Sequence, residues 1–103
     1  NIDVLCIIYC YIKYLVIMEI LLNKLKYRSW HRGTKEADIL LGVFFDTNYT
    51  KMNKQEFLDY ENFLNIVNDT EIVLIVQGKK KWPKNYPISI VKLFQKHINR
   101  ANF

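Results

Sequence analysis

From Glu36 to Asp46 the chain reads EADILLGVFFD, and its apolar residues Ala37, Leu40, Leu41, Phe44 and Phe45 fall at i, i+3, i+4, i+7 and i+8. That spacing follows the 3.6-residue helical turn and puts all five on one stripe, whereas a strand would alternate its apolar residues between two faces. An apolar stripe of this width has to be covered, so the rest of the sequence must supply other elements to pack on it. Gly42 inside the stripe weakens the helix only modestly by propensity.

The flanking sequence supplies further helices. From Met18 to about Arg32 the apolar positions are Ile20, Leu21, Leu22, Leu25 and Trp30, and Gly33 follows where a left-handed C-terminal cap is needed. Residues 53–56, NKQE, pair a capping Asn53 with Glu56 at the reciprocal capping-box position, ahead of Phe57, Tyr60, Phe63, Leu64 and Val67. The stretch TEIVLIVQG has a β-branched run that alone suggests a strand. A lone strand would have no partner for its backbone groups, so a short helix capped by Asp69 or Thr70 and ending at Gly78 is expected instead. Pro87 then suits the first turn of a last helix bearing Ile88, Val91, Phe94 and Ile98. The expected fold is all-α, a small compact bundle of about five helices in a single domain, since 103 residues leave no room for a second.

The first 17 residues stand apart. NIDVLCIIYCYIKYLVI begins with Asn, carries only Asp3 and Lys13 as charges, and precedes the first methionine, Met18. It fits neither a secretory signal nor a mitochondrial presequence. As a membrane span, Val4 to Leu22 is barely long enough and holds Lys13 and Glu19, each costing about 2.5–3.5 kcal/mol near a helix centre. The reading adopted is that residues 1–17 are an over-extended gene start, that 18–103 form the domain, and that no segment spans a membrane. A small membrane-associated protein, attached through residues 1–22, is the alternative. Cys6 and Cys10 both lie in this segment, and as a lone Cys-x-x-x-Cys pair they are expected to be buried apolar thiols rather than metal ligands.

Charge is segregated. Residues 18–35 carry a net +4, residues 36–71 a net −6 and residues 72–103 a net +7. Lys79, Lys80, Lys81 and Lys84 around Trp82 can be drawn as a phosphate and stacking patch, which makes a basic helical nucleic-acid binder the other alternative. The acidic middle works against it, and a solvated lysine loop is the simpler reading, with no nucleic-acid partner expected.

Catalytic groupings are scarce. Nucleophile-elbow, zincin, dinucleotide and P-loop motifs are missing from the sequence. His31 and His97 lie in different helices, and Glu36 and Asp38 project about 200° apart on a helix, too divergent for a paired acid and base. The chain is therefore expected to bind rather than to catalyse.

One exposed stretch is specific enough to say what is bound. RGTKE, residues 32–36, runs into ADILLG and then FF, and together with the preceding YRSWHRG, the continuation through Glu36, Asp38, Leu40 and Leu41, the F-x-x-Y-E-x-F-L of the third helix and a proline before the last, it resembles the small succinate dehydrogenase assembly factors. The resemblance covers roughly residues 19–98, and it departs in the fourth segment, where NDTEIVLIV places Ile75 at the position of a family tryptophan.

That resemblance implies a small helical bundle that binds the flavoprotein subunit of succinate dehydrogenase and promotes covalent attachment of FAD. The attacking histidine belongs to the client, as does the flavin, so no stably bound cofactor and no metal are expected. Fumarate reductase is a further candidate client, and the free factor is expected to be a monomer. The lack of a recognisable presequence leans toward the bacterial cytoplasm as the expected compartment, with the mitochondrial matrix as the alternative.

By residue, Arg32, Gly33 and Glu36 match the motif and form the expected contact surface, with Arg28, His31 and Asp38 extending it. Arg32 can bind a carboxylate or phosphate in bidentate fashion, Gly33 allows close backbone approach, and Glu36 suits a helix N-terminus and can also hold Arg32. Each residue has a plainer reading as well: helix cap, dipole partner, solvated histidine. Trp30 reads either as an interface anchor or as core, and His97 as structural or exposed.

Overall fold

The structure, a computed structural model, describes residues 2–101. Five α-helices account for most of them, α1 (Ile2–Trp30), α2 (Lys35–Asn48), α3 (Lys54–Ile66), α4 (Asp69–Val76) and α5 (Ile88–Ala101), with a 3-10 turn (Tyr49–Lys51) between α2 and α3 and no strand among the described residues. The expected all-α fold of about five helices is what forms.

The first helix begins far upstream of Met18. Residues 2–17 contain no glycine, proline or capping signal to interrupt them, so α1 runs unbroken for 29 residues, about 43 Å at 1.5 Å per residue. Its first half projects from the bundle, which is why the described chain measures 60 Å along one axis and 24 Å along the other two. Residues 3–17 are exposed throughout. Cys6 and Cys10 are therefore exposed free thiols, and the expectation that they are buried is wrong because no element packs on that half of the helix. By length and composition Asp3–Trp30 suffices to cross a membrane, yet its last turns belong to the bundle, where Leu25 and Ser29 are fully buried.

The core is aromatic. Phe44 of α2 stacks on Phe94 of α5 at 3.6 Å between ring centres, Phe45 stacks on Tyr60 of α3 at 5.3 Å, and Phe63 meets Tyr86 edge-on. Leu25, Leu41, Ile72, Ile75 and Ile90 close the cluster. Each such side chain contributes about 1.5–3 kcal/mol by leaving water. Ile75 is 5% exposed and part of this cluster.

The caps follow the sequence closely, with one shift. Asn53 and Glu56 form the reciprocal capping box at the start of α3, at 2.8 and 3.1 Å. The cap of α4 is Asn68, which accepts from the Glu71 N–H at 2.9 Å, and not Asp69 or Thr70. Gly78, at φ +77°, takes the left-handed position that ends α4. The buried stripe of α5 is Ile90, Phe94 and His97, with Ile88 70% exposed and Val91 and Ile98 half-buried. The expected stripe was rotated because His97 enters the core edge-on to Phe44. Its burial pulls the imidazole pKa below the ordinary value, with Arg100 adding to the effect.

Candidate functional site

The charged turn His31–Thr34 joins α1 to α2, and its shape is fixed from both ends. On the α1 side, the Ser29 hydroxyl donates to the Leu25 carbonyl at 2.7 Å and so accepts from the Tyr60 hydroxyl at 2.6 Å. Burial pushes the Tyr60 phenol well above its ordinary pKa, so it stays protonated as that donor. One residue on, the indole of Trp30 lies flat against Gly42, where an added Cβ would sit 2.2 Å from the ring. Its Nε1 donates to Asp46 at 3.2 Å. Trp30 is thus half-buried packing between α1 and α2 rather than a free interface anchor, and Gly42 is the residue that makes room for it.

On the α2 side, Thr34 is the N-cap, its hydroxyl accepting from Ala37 N–H at 3.3 Å. Asp38 reaches back across the turn and accepts from the backbone N–H groups of both Arg32 and Gly33. Gly33 itself is two residues past the position of a helix cap, at φ +124°, a conformation side chains with a Cβ rarely adopt. Its reading as the C-cap of the first helix is therefore corrected: α1 stops at Trp30, and the glycine serves the turn.

The guanidinium of Arg32 points inward. Nε donates to Asp69 Oδ1 at 3.0 Å, while the two terminal nitrogens donate to the carbonyls of Leu64 and Val67 at 3.3 and 3.4 Å. These carbonyls belong to the end of α3, where helical partners run out and negative charge accumulates. Arg32 therefore ties α1, α3 and α4 together at one point, with its side chain 14% exposed. Glu36 does not hold it, contrary to expectation; Asp69 does. Arg28 is likewise engaged, donating to Asn65 of α3 at 2.7 Å. His31 stacks on Tyr27 at 4.0 Å and its Nδ1 donates to the Tyr27 carbonyl at 2.8 Å.

What faces solvent at this end is narrower than the motif. Gly33, Thr34, Lys35 and Glu36 are exposed along the turn and the first turn of α2. Glu36 has no hydrogen bond or ion pair among the described residues, and it stands at the rim of two adjoining depressions. One, of about 240 Å³, lies over Thr34, Asp69 and Val73. The other, of about 410 Å³, is an apolar groove between α2 and α4, walled by Ile39, Leu40, Val43, Val73 and Val76, with Gln77 and His97 also on its lining. Sequence reasoning missed this groove. Its signal was a second stripe, 36, 39, 40 and 43 at i, i+3, i+4 and i+7, beside the one that forms the core.

The lysine loop offers less than its composition suggests. Trp82 is half-buried against Phe94 at 5.9 Å, and Lys80 pairs with Glu71 at 2.6 Å. Glu71, held by that lysine and by the Tyr86 hydroxyl, titrates below the usual carboxylate range, while Tyr86, largely through burial, is pushed up to about 12. Among the described residues, no group of three His, Cys, Asp or Glu side chains is placed to hold a metal ion.

Comparison with known proteins places this geometry in a family. The chain is 32% identical over 80 residues to succinate dehydrogenase assembly factor 2-B, mitochondrial, of Drosophila mojavensis, covering 77% of this chain and 51% of that one. It is 35% identical over 80 residues to the corresponding mitochondrial factor of Dictyostelium discoideum, covering 78% and 56%. With the FAD assembly factor SdhE of Acetobacter pasteurianus it shares 46% identity over 62 residues, 60% of this chain and 56% of that one. The chain thus spans about half the length of the curated relatives it matches, and no solved structure matches it. The family model described as flavinator of succinate dehydrogenase matches residues 23–98, a stretch running from the buried end of α1 through nearly all of α5, and the chain belongs to that family.

Proposed function

We propose that this chain is a non-catalytic assembly factor that binds the flavoprotein subunit of succinate dehydrogenase and promotes covalent attachment of FAD to it. The observation that carries the reading is the family match over residues 23–98, which includes the Arg-Gly-x-x-Glu turn. The geometry supports a division of labour within the six residues singled out from the sequence. Gly33, Glu36 and His31 are exposed and form the contact surface, whereas Arg32, Asp38 and Arg28 each bond within the chain and hold that surface in shape.

In this reading the factor docks on the folding flavoprotein and stabilises a state in which the client's histidine attacks the flavin. The FAD is the client's, and the factor binds none stably. The functional unit in this reading is the helical bundle of residues 18–103. We assign the free factor as a monomer and its compartment as the bacterial cytoplasm, a choice supported by the 46% identity with a bacterial relative, with the mitochondrial matrix as the other. Fumarate reductase is a second client on the same reading.

The test is complementation. In a host deleted for its own factor, this chain should restore in-gel flavin fluorescence of the succinate dehydrogenase flavoprotein under denaturing conditions. Fluorescence that stays absent although the chain is expressed and folded, or that needs no factor at all, refutes the proposal.

A further inference from the structure

Two helices of this bundle carry more apolar surface than the core uses. On α2, Ala37, Leu41, Phe44 and Phe45 are buried, yet Ile39 and Val43 remain 48% and 41% exposed one turn apart on a second face. On α4, Ile72 and Ile75 are buried, while Val73 and Val76 turn to the other side. A helix that is apolar on two faces has a second face to cover. Because α2 packs against α4, the two leftover faces meet in one groove of about 410 Å³, and Glu36, which has no partner among the described residues, stands at its rim.

We infer that this groove is a docking site for a short apolar segment of the flavoprotein client, one that carries a lysine or arginine beside its aliphatic anchors to pair with Glu36. The inference rests on the function proposed above and names the surface that performs it. Charge selects the occupant. The lining holds one carboxylate and no lysine or arginine, and His97 is neutral near pH 7 because burial lowers its pKa. A second copy of this chain docked groove to groove by a twofold axis would bring two Glu36 carboxylates into one interface with no base from either lining to answer them. A client segment with its own base meets no such conflict. Aliphatic anchors in an apolar groove supply affinity, and the charge at the rim fixes register.

The experiment uses the full chain and purified flavoprotein subunit. A photocrosslinking benzoyl-phenylalanine is placed at Val43, in the groove, or at Leu58, an exposed residue of α3 outside every described depression. The expected result is a flavoprotein adduct from Val43 and none from Leu58, mapping by mass spectrometry to an apolar segment that contains a lysine or arginine. In parallel, Val43→Asp should weaken flavoprotein binding at least tenfold with an unchanged unfolding midpoint, and Val76→Asp should do the same from the other wall. A flavoprotein adduct from Leu58 alone, a homodimer adduct from Val43, or wild-type affinity in both Asp variants overturns the groove while leaving the proposed function standing. Failure of the unmodified chain to bind the flavoprotein overturns both.

Discussion

Gly42→Ala should destabilise this protein, against the ordinary expectation for a glycine inside a helix. By propensity alone the change would stabilise α2 by about 1 kcal/mol. The new methyl, however, would lie 2.2, 2.4 and 2.6 Å from the Cδ2, Cε2 and Cε3 atoms of Trp30, where ordinary contact is about 3.5–4 Å. The indole must retreat by more than about 1 Å, which separates it from α2 and strains its bond to Asp46. Overpacking of this kind costs about 1–3 kcal/mol; because a whole ring loses its seat the cost here is about 2–3 kcal/mol, and less the propensity gain of about 1 kcal/mol the net loss is about 1–2 kcal/mol. For a domain of this size that is a fall of roughly 4–10 °C in Tm. The decisive comparison is a double-mutant cycle followed by thermal denaturation. With the ring removed by Trp30→Ala, the same Gly42→Ala change should raise stability by about 1 kcal/mol. A neutral or stabilising effect in the wild-type background would refute the packing assigned to Trp30, and with it the way α1 delivers the charged turn to α2.

Other changes separate bracing residues from contact residues. Asp69→Asn removes the carboxylate that holds Arg32 and should cost about 1–3 kcal/mol in urea unfolding, the pair being mostly but not fully buried. Glu36→Gln should change stability by less than about 1 kcal/mol, the worth of a helix-dipole contact, yet abolish support of flavinylation. His97 has a folded pKa below its unfolded value of 6.5, so its contribution is fully present above pH 6.5 and is lost as pH falls through the folded pKa; stability should drop as pH is lowered below 6.5, and His97→Gln should flatten that drop. Gly33→Ala should destabilise by about 1–2 kcal/mol because of its backbone angle, the space around it being open.

Helical spacing and capping chemistry made most of the fold legible, because both are local. The 37–45 stripe, the Asn53–Glu56 box and the glycine ending α4 depend on neighbours three or four residues away. The tertiary choices did not show. Gly42 looked like a weak point in a helix until Trp30, twelve residues earlier, was found occupying the missing side chain's volume. Arg32 and Glu36 looked like a pair by sequence distance, but the partner of Arg32 came from 37 residues away, and the carbonyls that share its donors from 32 and 35. His97 could be read as structural or exposed, and only packing against Phe44 decided for the core. At the site, the motif picked out one turn and left open which side chains point out of it; the groove beside Glu36 needs two helices that the sequence cannot bring together by spacing.

The central claim is that the exposed part of this turn acts on a flavoprotein. It is tested most directly by mixing purified apo flavoprotein subunit with FAD, adding no factor, the wild-type chain or Glu36→Gln, and following covalent flavin by fluorescence on denaturing gels over time. The account predicts covalent flavin that accumulates with the wild-type chain and stays at the no-factor level with Glu36→Gln, although that variant unfolds at nearly the wild-type midpoint. Equal accumulation with wild type and Glu36→Gln, or no acceleration by the wild-type chain, would contradict it.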